Sequence, residues 1–396
     1  MDFALDEDLR KRIEQLSQLG RLQIRPLGLE ADRLGRPTPP DHPFFERLIR
    51  LGQGRTRWSP DSKSGSERGV EPRMGTSLVG LCSIEEISFW DRGVAASFPG
   101  PGLGDPPILS MGTLEQKRRF LGPFVDPDRP RWGSFAMTEP GAGSDVAGIQ
   151  ATARKDGRHW VLNGAKSFAA NASRADWIVV FATVDRSLGR DGHRAFVVER
   201  GTPGLGGFVV ERKMGLKAYE STSFTLEDCR VSEDNLLGGE AHYAGRAGFR
   251  GAMKSFNATR PMVAVMAVGI GRAALDEALS FSREHGLLDD PRVRDRLERI
   301  RRRLRVARLL CWRAAWLADR ERPNVLEASM SKAVAPAVAL EAASLGMEIL
   351  GGVGARGDHL IEKLFRDVKA MDIVEGTGQI QRVIMARRLI GEGPRN

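Results

Sequence analysis

Residues 137–145 form the segment whose residue types best suit contact with a ligand. One proline and two glycines in this segment allow a tight turn whose backbone approaches a ligand without an intervening Cβ atom. Hydroxyl and carboxylate groups lie at the edge of the same turn, on Thr138, Ser144 and Asp145. Such a turn suits a redox site, in which a planar electron-accepting cofactor is held against a thin polar substrate. The same residue types also form ordinary surface turns between apolar runs, so the segment by itself leaves both interpretations open.

A second candidate is Glu375, which precedes Gly376, Thr377 and a helical run near the end of the chain. A carboxylate held in an apolar pocket has a raised pKa and acts as a general base towards a C–H beside a thioester carbonyl. The alternative is a turn that leads into a helix, with Thr377 as its N-cap and Glu375 in solvent. The residues alone leave both alternatives open.

Three regions of different periodicity must position these two segments. Residues 1–130 carry apolar side chains at helical spacing and predict a small all-helical domain. Residues 131–240 contain several short apolar strands separated by Gly, Asp and Pro turns, which predicts a small β-barrel or sandwich. Over residues 241–396 the spacing is helical again and predicts a four-helix bundle. The expected fold is therefore a multidomain α+β protein.

The sequence also makes local predictions. A first helix over about residues 4–22 is followed by an irregular crossing, because Pro and Gly interrupt the apolar spacing. Residues 55–72 contain few apolar side chains and predict a mobile loop. The Pro/Gly run at 99–107 predicts a rigid corner without helix, and Asn163 with Gly164 predicts a hairpin turn between two strands.

The composition is that of an ordinary globular protein of two or three domains. The chain has 396 residues, and its hydrophobic content of 41% allows a sizeable core. The formal net charge of +9 favours anionic partners such as nucleotides, phosphates or an acidic carrier protein. The basic residues are spread along the chain without interleaved aromatic residues, which argues against nucleic-acid binding.

Cysteine, histidine and apolar-run patterns restrict the class of protein further. Cys82, Cys229 and Cys311 stand far apart without metal-ligand spacing and are predicted to be buried reduced thiols. None of the six histidines forms a metal-spaced pair, so no metal site is expected. No apolar run approaches the length of a membrane span and the acidic first residues differ from a signal peptide, so the protein is expected to be cytoplasmic.

Both candidate segments resemble motifs of the acyl-CoA dehydrogenase family. The run that starts at residue 137 and continues through residues 160–171 is similar to the family's flavin-binding signature. The Glu-Gly-Thr segment at Glu375, with Gln381 and Arg382 after it, is similar to the catalytic segment before the last helix. The order of a helical, a β and a helical domain is also the family's order, so the resemblance covers nearly the full length.

The resemblance implies an FAD-dependent enzyme that converts an acyl-CoA thioester into a trans-2-enoyl thioester. Glu375 would remove the α-proton, and hydride would pass from Cβ to the flavin N5. Some members place the base before the Arg of a Phe-x-x-x-Arg-Pro-like run, where this chain has Thr259, which cannot serve as a base. The family further implies a role in fatty acid metabolism, electron-transfer flavoprotein or another electron acceptor, and a homodimer or homotetramer with FAD sites at subunit interfaces.

The resemblance also implies roles for individual residues. The flavin ring system would lie beside five residues of the β domain, namely Phe135, Met137, Thr138, Phe168 and Ala170. Further FAD contacts would be Gly143 and Ser144 near the diphosphate, Thr377 and Gln379, and, at the adenine side of a partner subunit's FAD, Glu348 and Gly352. The pantetheine and CoA side would be lined by Ser144, Phe256, Asn257 and Arg260. For Arg260 the alternative is a charge at a helix end before Pro261.

Two departures from the family pattern keep other functions open. Ala170 stands where the family usually has Thr or Ser in a Trp-Ile-Thr/Ser run, so it has no hydroxyl to donate towards N5. Family members usually have Arg-x-x-Phe-Gly with the Arg and Phe in contact with a neighbouring FAD, whereas the run here, Arg283 to Gly286 with His285 before the glycine, is shorter by one residue and lacks the Phe. One alternative is therefore a dehydrogenase of carrier-protein-bound acyl groups or an acyl-thioester oxidase. Another is a non-catalytic partner subunit, against which the retained Glu375 argues.

Overall fold

Short helices with side-chain caps build the N-terminal region. The Asp6 carboxylate accepts a hydrogen bond from the Leu9 amide at 2.8 Å, and Thr113 forms a capping box with Gln116. The helices are α1 (Glu7–Leu19), α2 (Arg25–Leu34), α3 (Pro43–Arg50), α4 (Thr76–Ala96), α5 (Asp105–Met111) and α6 (Leu114–Leu121). The computed structural model describes residues 5–60, 76–244 and 247–391, so most of the predicted 55–72 loop lies outside the described residues.

Two local predictions for this region are wrong. The irregular crossing expected after the first helix is a π-helical turn, Gly20–Ile24, that leads directly into α2. Glycine is required there because the Trp90 ring lies against the backbone, and a Cβ on Gly20 would stand 2.0 Å from Trp90 Cδ1. The run 99–107 contains a 3₁₀ turn and the start of α5, because prolines fit the first helical turn, where no amide donor is needed.

The central region is one seven-stranded sheet in which β5 pairs with β4 alone. The other strands follow the order β1-β4-β2-β3-β7-β6, and β1 and β4 run parallel. The strands are β1 (Gly133–Ala136), β2 (Thr152–Asp156), β3 (His159–Ala170), β4 (Trp177–Thr183), β5 (His193–Glu199), β6 (Leu205–Val210) and β7 (Ser221–Ser232). Every residue of β4 is buried, because both neighbouring layers cover it.

The hairpin turn predicted at Asn163 and Gly164 is wrong, because both residues lie inside β3. They form a β-bulge against β7, where the pairing register changes between Leu162 and Gly164. Gly164 has a φ of +142°, and a Cβ there would lie 2.7 Å from the Ala151 Cα atom. Since an Asn-Gly pair suits a bulge as well as a turn, the sequence signal identified an irregularity and not a chain reversal.

Long helices form the C-terminal region, as predicted. They are α8 (Ala247–Glu284), α9 (Pro291–Ala318), α10 (Val325–Leu350), α12 (Leu360–Lys369) and α13 (Gly378–Leu389), with the short helices α7 (Gly239–Tyr243) and α11 (Gly352–Ala355) beside them. α12 was not anticipated from the sequence. Helix α8 continues through Pro261, so the alternative that Arg260 is a helix-end charge is wrong. The fold class predicted from the sequence is confirmed.

Helix α10 corrects the prediction that no apolar run approaches the length of a membrane span. Over an 18-residue window its mean hydropathy is 1.5, so its length and composition alone would allow it to cross a membrane. In the structure 56% of that window is buried inside the protein, and α10 contacts α8, α9, α12 and α13. Its position as the central helix of the bundle accounts for its apolar composition.

A buried charge cluster joins the three regions. Lys363 on α12 donates to Asp91 on α4 and to Asp367, both at 2.5 Å. Asp367 also accepts a hydrogen bond from the Leu216 amide, in the segment between β6 and β7. All three charged side chains are almost fully buried, so they have to serve as hydrogen-bond and ion-pair partners for each other. The cluster therefore fixes α4 relative to the sheet and the bundle.

Candidate active site

A cavity of about 1500 Å³ lies where the three regions meet. Its wall includes residues of α4, of the sheet, of α8 and of the segment before α13. It brings together ten residues that the sequence singled out: Phe135, Met137, Thr138, Gly143, Ser144, Phe168, Ala170, Arg260, Glu375 and Thr377. The two candidate segments, far apart in the chain, thus face one space.

The 137–145 loop is fastened to β3 by a buried ion pair. Lys166 donates to Glu139 at 2.7 Å and to the Met137 carbonyl at 3.2 Å, and neither charged side chain is appreciably exposed. Glu139 in turn accepts the amides of Gln150 and Ala151. Burial lowers the pKa of Lys166, and the charge and hydrogen bond of Glu139 oppose that effect. The ion pair therefore attaches the loop to β3, while Gly143 and Ser144 at the tip of the loop line the cavity.

Phe168 presents an aromatic face to the cavity. It has a φ of +57°, a left-handed conformation that is unusual for a non-glycine residue, at a second bulge of β3. Its side chain is 63% exposed although it is large and apolar. Such backbone strain and exposure are typical of positions at binding sites. Two residues further on, Ala170 also lines the cavity, and Ser134 donates to its carbonyl at 2.8 Å.

Glu375 lines the same cavity and is held by helix α8. Thr259 donates a hydrogen bond through its hydroxyl to Glu375 Oε2 at 2.9 Å. Burial raises the pKa of the Glu375 carboxyl, while the Thr259 hydrogen bond and the charges of Arg260 and Lys332 lower it. Glu375 has a φ of +58°, and Thr377 caps the following helix by accepting from the Ile380 amide. The predicted turn into α13 with Thr377 as its N-cap is confirmed, but Glu375 is partly buried and hydrogen-bonded to Thr259 instead of lying free in solvent.

Lys332 is a residue of this site that sequence reasoning missed. It lies fully buried in the apolar helix α10 and donates to the Gly376 carbonyl at 3.1 Å. Gln381 donates to the same carbonyl at 3.2 Å. Burial lowers the pKa of Lys332 to about 8, with Asp372 and Glu375 opposing. Lys332 is the one basic residue of the apolar helix α10, and this was the signal available in the sequence, because a buried charge needs a partner.

We expect Lys332→Met to shift the pH dependence of proton transfer to Glu375. The lysine charge lowers the pKa of Glu375, so its removal raises that pKa and moves the rise of activity with pH to higher pH. The measurement is the pH profile of flavin reduction under anaerobic conditions. Lys332→Arg keeps the charge and is the matched comparison. An unchanged profile for Lys332→Met would refute the role of Lys332 at Glu375.

Three of the remaining predicted site residues do not line this cavity within one chain. Gln379 is exposed, and so are Glu348 and Gly352 near the end of α10. The Glu348 carboxylate is held by Arg296. Contact of Glu348 and Gly352 with a partner subunit's cofactor stays a prediction. Two more predicted residues, Phe256 and Asn257, lie outside the residues whose side chains the structure describes. At the second departure, His285 stacks on Phe281 with ring centroids 3.9 Å apart.

Comparison with known proteins decides the family. Models of the acyl-CoA dehydrogenase middle domain and C-terminal domain match residues 134–229 and 246–390. The short-chain specific mitochondrial acyl-CoA dehydrogenase of Bos taurus is 39% identical over 289 residues, which cover 72% of this chain and 68% of that protein. This chain belongs to the acyl-CoA dehydrogenase family. Within that family it is a flavin oxidoreductase that acts on CH–CH donors.

Two solved structures have a fold similar to that of this chain. Butyryl-CoA dehydrogenase from Megasphaera elsdenii is 30% identical with a TM-score of 0.85, over 98% of this chain and 100% of that chain. The prolyl acyl carrier protein oxidase AnaB is 25% identical with a TM-score of 0.85, over 98% of this chain and 100% of that chain. The exact domain boundaries at residues 130 and 240 stay predictions.

The cavity fits the family's cofactor and thioester. Phe168 offers a flat apolar surface to a ring system, and a Cβ on Gly143 would meet no atom within 4 Å, so the loop tip is open to a ligand. Among the described lining residues nine are Arg or Lys and two are acidic. This excess of positive charge suits the phosphates of FAD and CoA. A group of three or more possible metal ligands was not found among the described residues.

Proposed function

We propose that this protein dehydrogenates an acyl-CoA thioester at its α and β carbons and releases a trans-2-enoyl thioester, with Glu375 as the base. The observation that carries the proposal is the position of Glu375. Its carboxylate, whose pKa is raised by burial, shares one cavity with the 137–145 loop and Phe168. A base with a raised pKa next to a flat apolar surface suits removal of a proton from a carbon acid.

The chemistry divides between the two sides of the cavity. Glu375 takes the α-proton, and the electron pair of that C–H bond forms the new double bond as hydride leaves Cβ. A bound FAD supplies the two-electron acceptor for that hydride. The Glu375 backbone N–H is proposed to donate to the thioester carbonyl and stabilise its negative charge. Thr259 keeps the Glu375 carboxylate oriented.

The proposed binding residues are those that the family resemblance implies, and some of them line the cavity. The flavin ring system is assigned to five of them, Phe135, Met137, Thr138, Phe168 and Ala170, and the rest of FAD to Gly143, Ser144, Thr377 and Gln379. Glu348 and Gly352 are assigned to the FAD of a second copy in a homodimer or homotetramer. The thioester side is assigned to Ser144, Phe256, Asn257 and Arg260. Arg260 is 5% exposed and lines the cavity, which supports this role. A cytoplasmic location and a role in fatty acid metabolism stay predictions.

Anaerobic titration of the purified protein with a panel of acyl-CoA thioesters tests the proposal. We expect a yellow protein whose flavin absorption is bleached by at least one thioester, because the transferred hydride reduces the flavin. Electron-transfer flavoprotein is the expected reoxidant. A colourless protein that does not take up added FAD would contradict the proposal and favour a non-catalytic partner subunit. A flavin that no thioester bleaches would also contradict it.

Ala170 favours a second candidate, an acyl-thioester oxidase or a dehydrogenase of carrier-protein-bound acyl groups. It lines the cavity where a hydroxyl is usual in the family, and the similar AnaB is a prolyl acyl carrier protein oxidase. The absence of this hydroxyl as a hydrogen-bond donor would alter the reactivity of the reduced flavin with oxygen. Rapid reoxidation of the reduced protein by air with ligand bound would support the oxidase. Flavin bleaching by an acyl group bound to a carrier protein, but not by acyl-CoA, would support a dehydrogenase of carrier-protein-bound acyl groups.

A further inference from the structure

Two polar groups on α4 face the cavity without a hydrogen-bond partner. The Nε atom of Arg92 and the Oγ atom of Ser88 are both buried, and neither contacts a donor or acceptor among the described residues. Both residues line the cavity. A buried polar group without a partner costs free energy, and a guanidinium costs more than a hydroxyl. Unpaired donors in a ligand cavity therefore point to a ligand that accepts from them.

The carboxylates near Arg92 are engaged elsewhere. Its neighbour Asp91 accepts from Lys363 at 2.5 Å and from the Val94 amide at 2.8 Å. Asp367 is held by the same lysine. Burial lowers the pKa of Arg92, and Tyr219 and Asp91 oppose that effect. The positive charge of Arg92 is thus left without an ion-pair partner among the described residues, in a part of the wall that also contains Tyr219.

The surrounding wall is otherwise apolar. Ile84 and Ile87 on α4 and Met262, Val263 and Met266 on α8 line the same cavity. A plain alkyl group would fit these side chains but would leave the guanidinium desolvated and unpaired. A carboxylate on the acyl group would form an ion pair with Arg92 and accept a hydrogen bond from the Ser88 hydroxyl. These contacts would replace the water that the guanidinium and the hydroxyl lose on burial.

We propose that Arg92, with Ser88, forms a specificity subsite for an acyl thioester whose acyl group carries a carboxylate, the monothioester of a dicarboxylic acid. This inference rests on the proposed function and names its substrate class. The carboxylate binds Arg92 while the thioester end lies at Glu375. An acyl group with a cationic end is repelled by the same charge.

The test compares pairs of CoA thioesters of equal carbon number, with and without a terminal carboxylate. The pairs are butyryl and succinyl, pentanoyl and glutaryl, and hexanoyl and adipyl. Dissociation constants are measured by calorimetry on the flavin-loaded Glu375→Gln variant, which removes turnover from the comparison. We expect the carboxylated member of at least one pair to bind about tenfold or more tightly, the size of a charge-assisted hydrogen bond.

Substitutions at Arg92 assign that preference to the subsite. In the same background, Arg92→Met should abolish the preference and leave the alkanoyl affinities within about twofold, whereas Arg92→Lys should retain part of it. Arg305→Met removes an exposed arginine on α9 and controls for net charge. Flavin content of each variant shows that it is folded.

The outcomes separate the subsite from the proposed function. Equal affinities within every pair, or a preference that persists in Arg92→Met, would refute the subsite. The proposed function would still hold in that case if an acyl-CoA bleached the wild-type flavin. If no thioester, with or without a carboxylate, bleaches the wild-type flavin, the proposed function is wrong, and the proposed subsite is refuted as well.

Discussion

Glu375→Gln is expected to retain bound flavin and to lose substrate-dependent flavin reduction by about a hundredfold to ten-thousandfold. Glutamine has the same shape and still accepts the hydrogen bond from Thr259, but it does not take up a proton. The cavity wall therefore stays the same while the base is removed. The measurement is stopped-flow bleaching of the flavin at saturating acyl-CoA under anaerobic conditions.

A matched control and a pH profile make the Glu375 result specific. Glu298→Gln changes a partly exposed glutamate of α9, whose partner is Arg301, and this variant should reduce flavin at the wild-type rate. In the wild type the rate should rise with pH through a pKa above the usual range of a glutamate, because the base acts when deprotonated and burial raises its pKa. Glu375→Gln should lack that rise. Bleaching by Glu375→Gln at the wild-type rate would refute the assignment.

Lys166→Met is expected to destabilise the protein by about 3–5 kcal/mol and to weaken flavin binding. It removes the partner of the buried Glu139 carboxylate, which keeps only two backbone amides as donors. Leaving a buried charge without its ion-pair partner is costly. The loop that carries Thr138 and Ser144 also loses both hydrogen bonds from Lys166 and keeps the bond from the Ser167 amide on β3 to the Thr138 carbonyl. The melting temperature and the flavin content of the purified variant measure the two effects.

Two comparisons separate the buried pair from ordinary ion pairs. The double variant Lys166→Met with Glu139→Gln removes both charges and should recover part of the lost stability, because no unpaired charge remains. Arg303→Met breaks a partly exposed pair with Glu341 and should change the melting temperature little. If Lys166→Met melts at the wild-type temperature with full flavin content, the pair does not hold the cofactor loop.

Local signals in the sequence were reliable for element type and less so for how elements connect. Helical spacing and strand-like runs identified the three regions, because each pattern repeats within a contiguous segment. The irregular crossing predicted after the first helix failed at Gly20, where the deciding contact is the distant Trp90 ring. The hairpin predicted at Gly164 failed in the same way, since the backbone of Ala151 lies against it. In both cases a glycine serves a close approach and not a turn.

The sequence by itself determined the two motifs, the domain order and the family resemblance that joins them, since each depends on residues near each other in the chain. Only the tertiary structure decided which isolated charges belong to the site. Arg92 has no local pattern and Lys332 has only its position in an apolar helix, so their roles follow from burial in the cavity wall and beside Gly376. A single buried charge is defined by its partners, and those partners come from distant segments. The residues around Glu375, which its own sequence motif does not specify, are therefore known only from the tertiary structure.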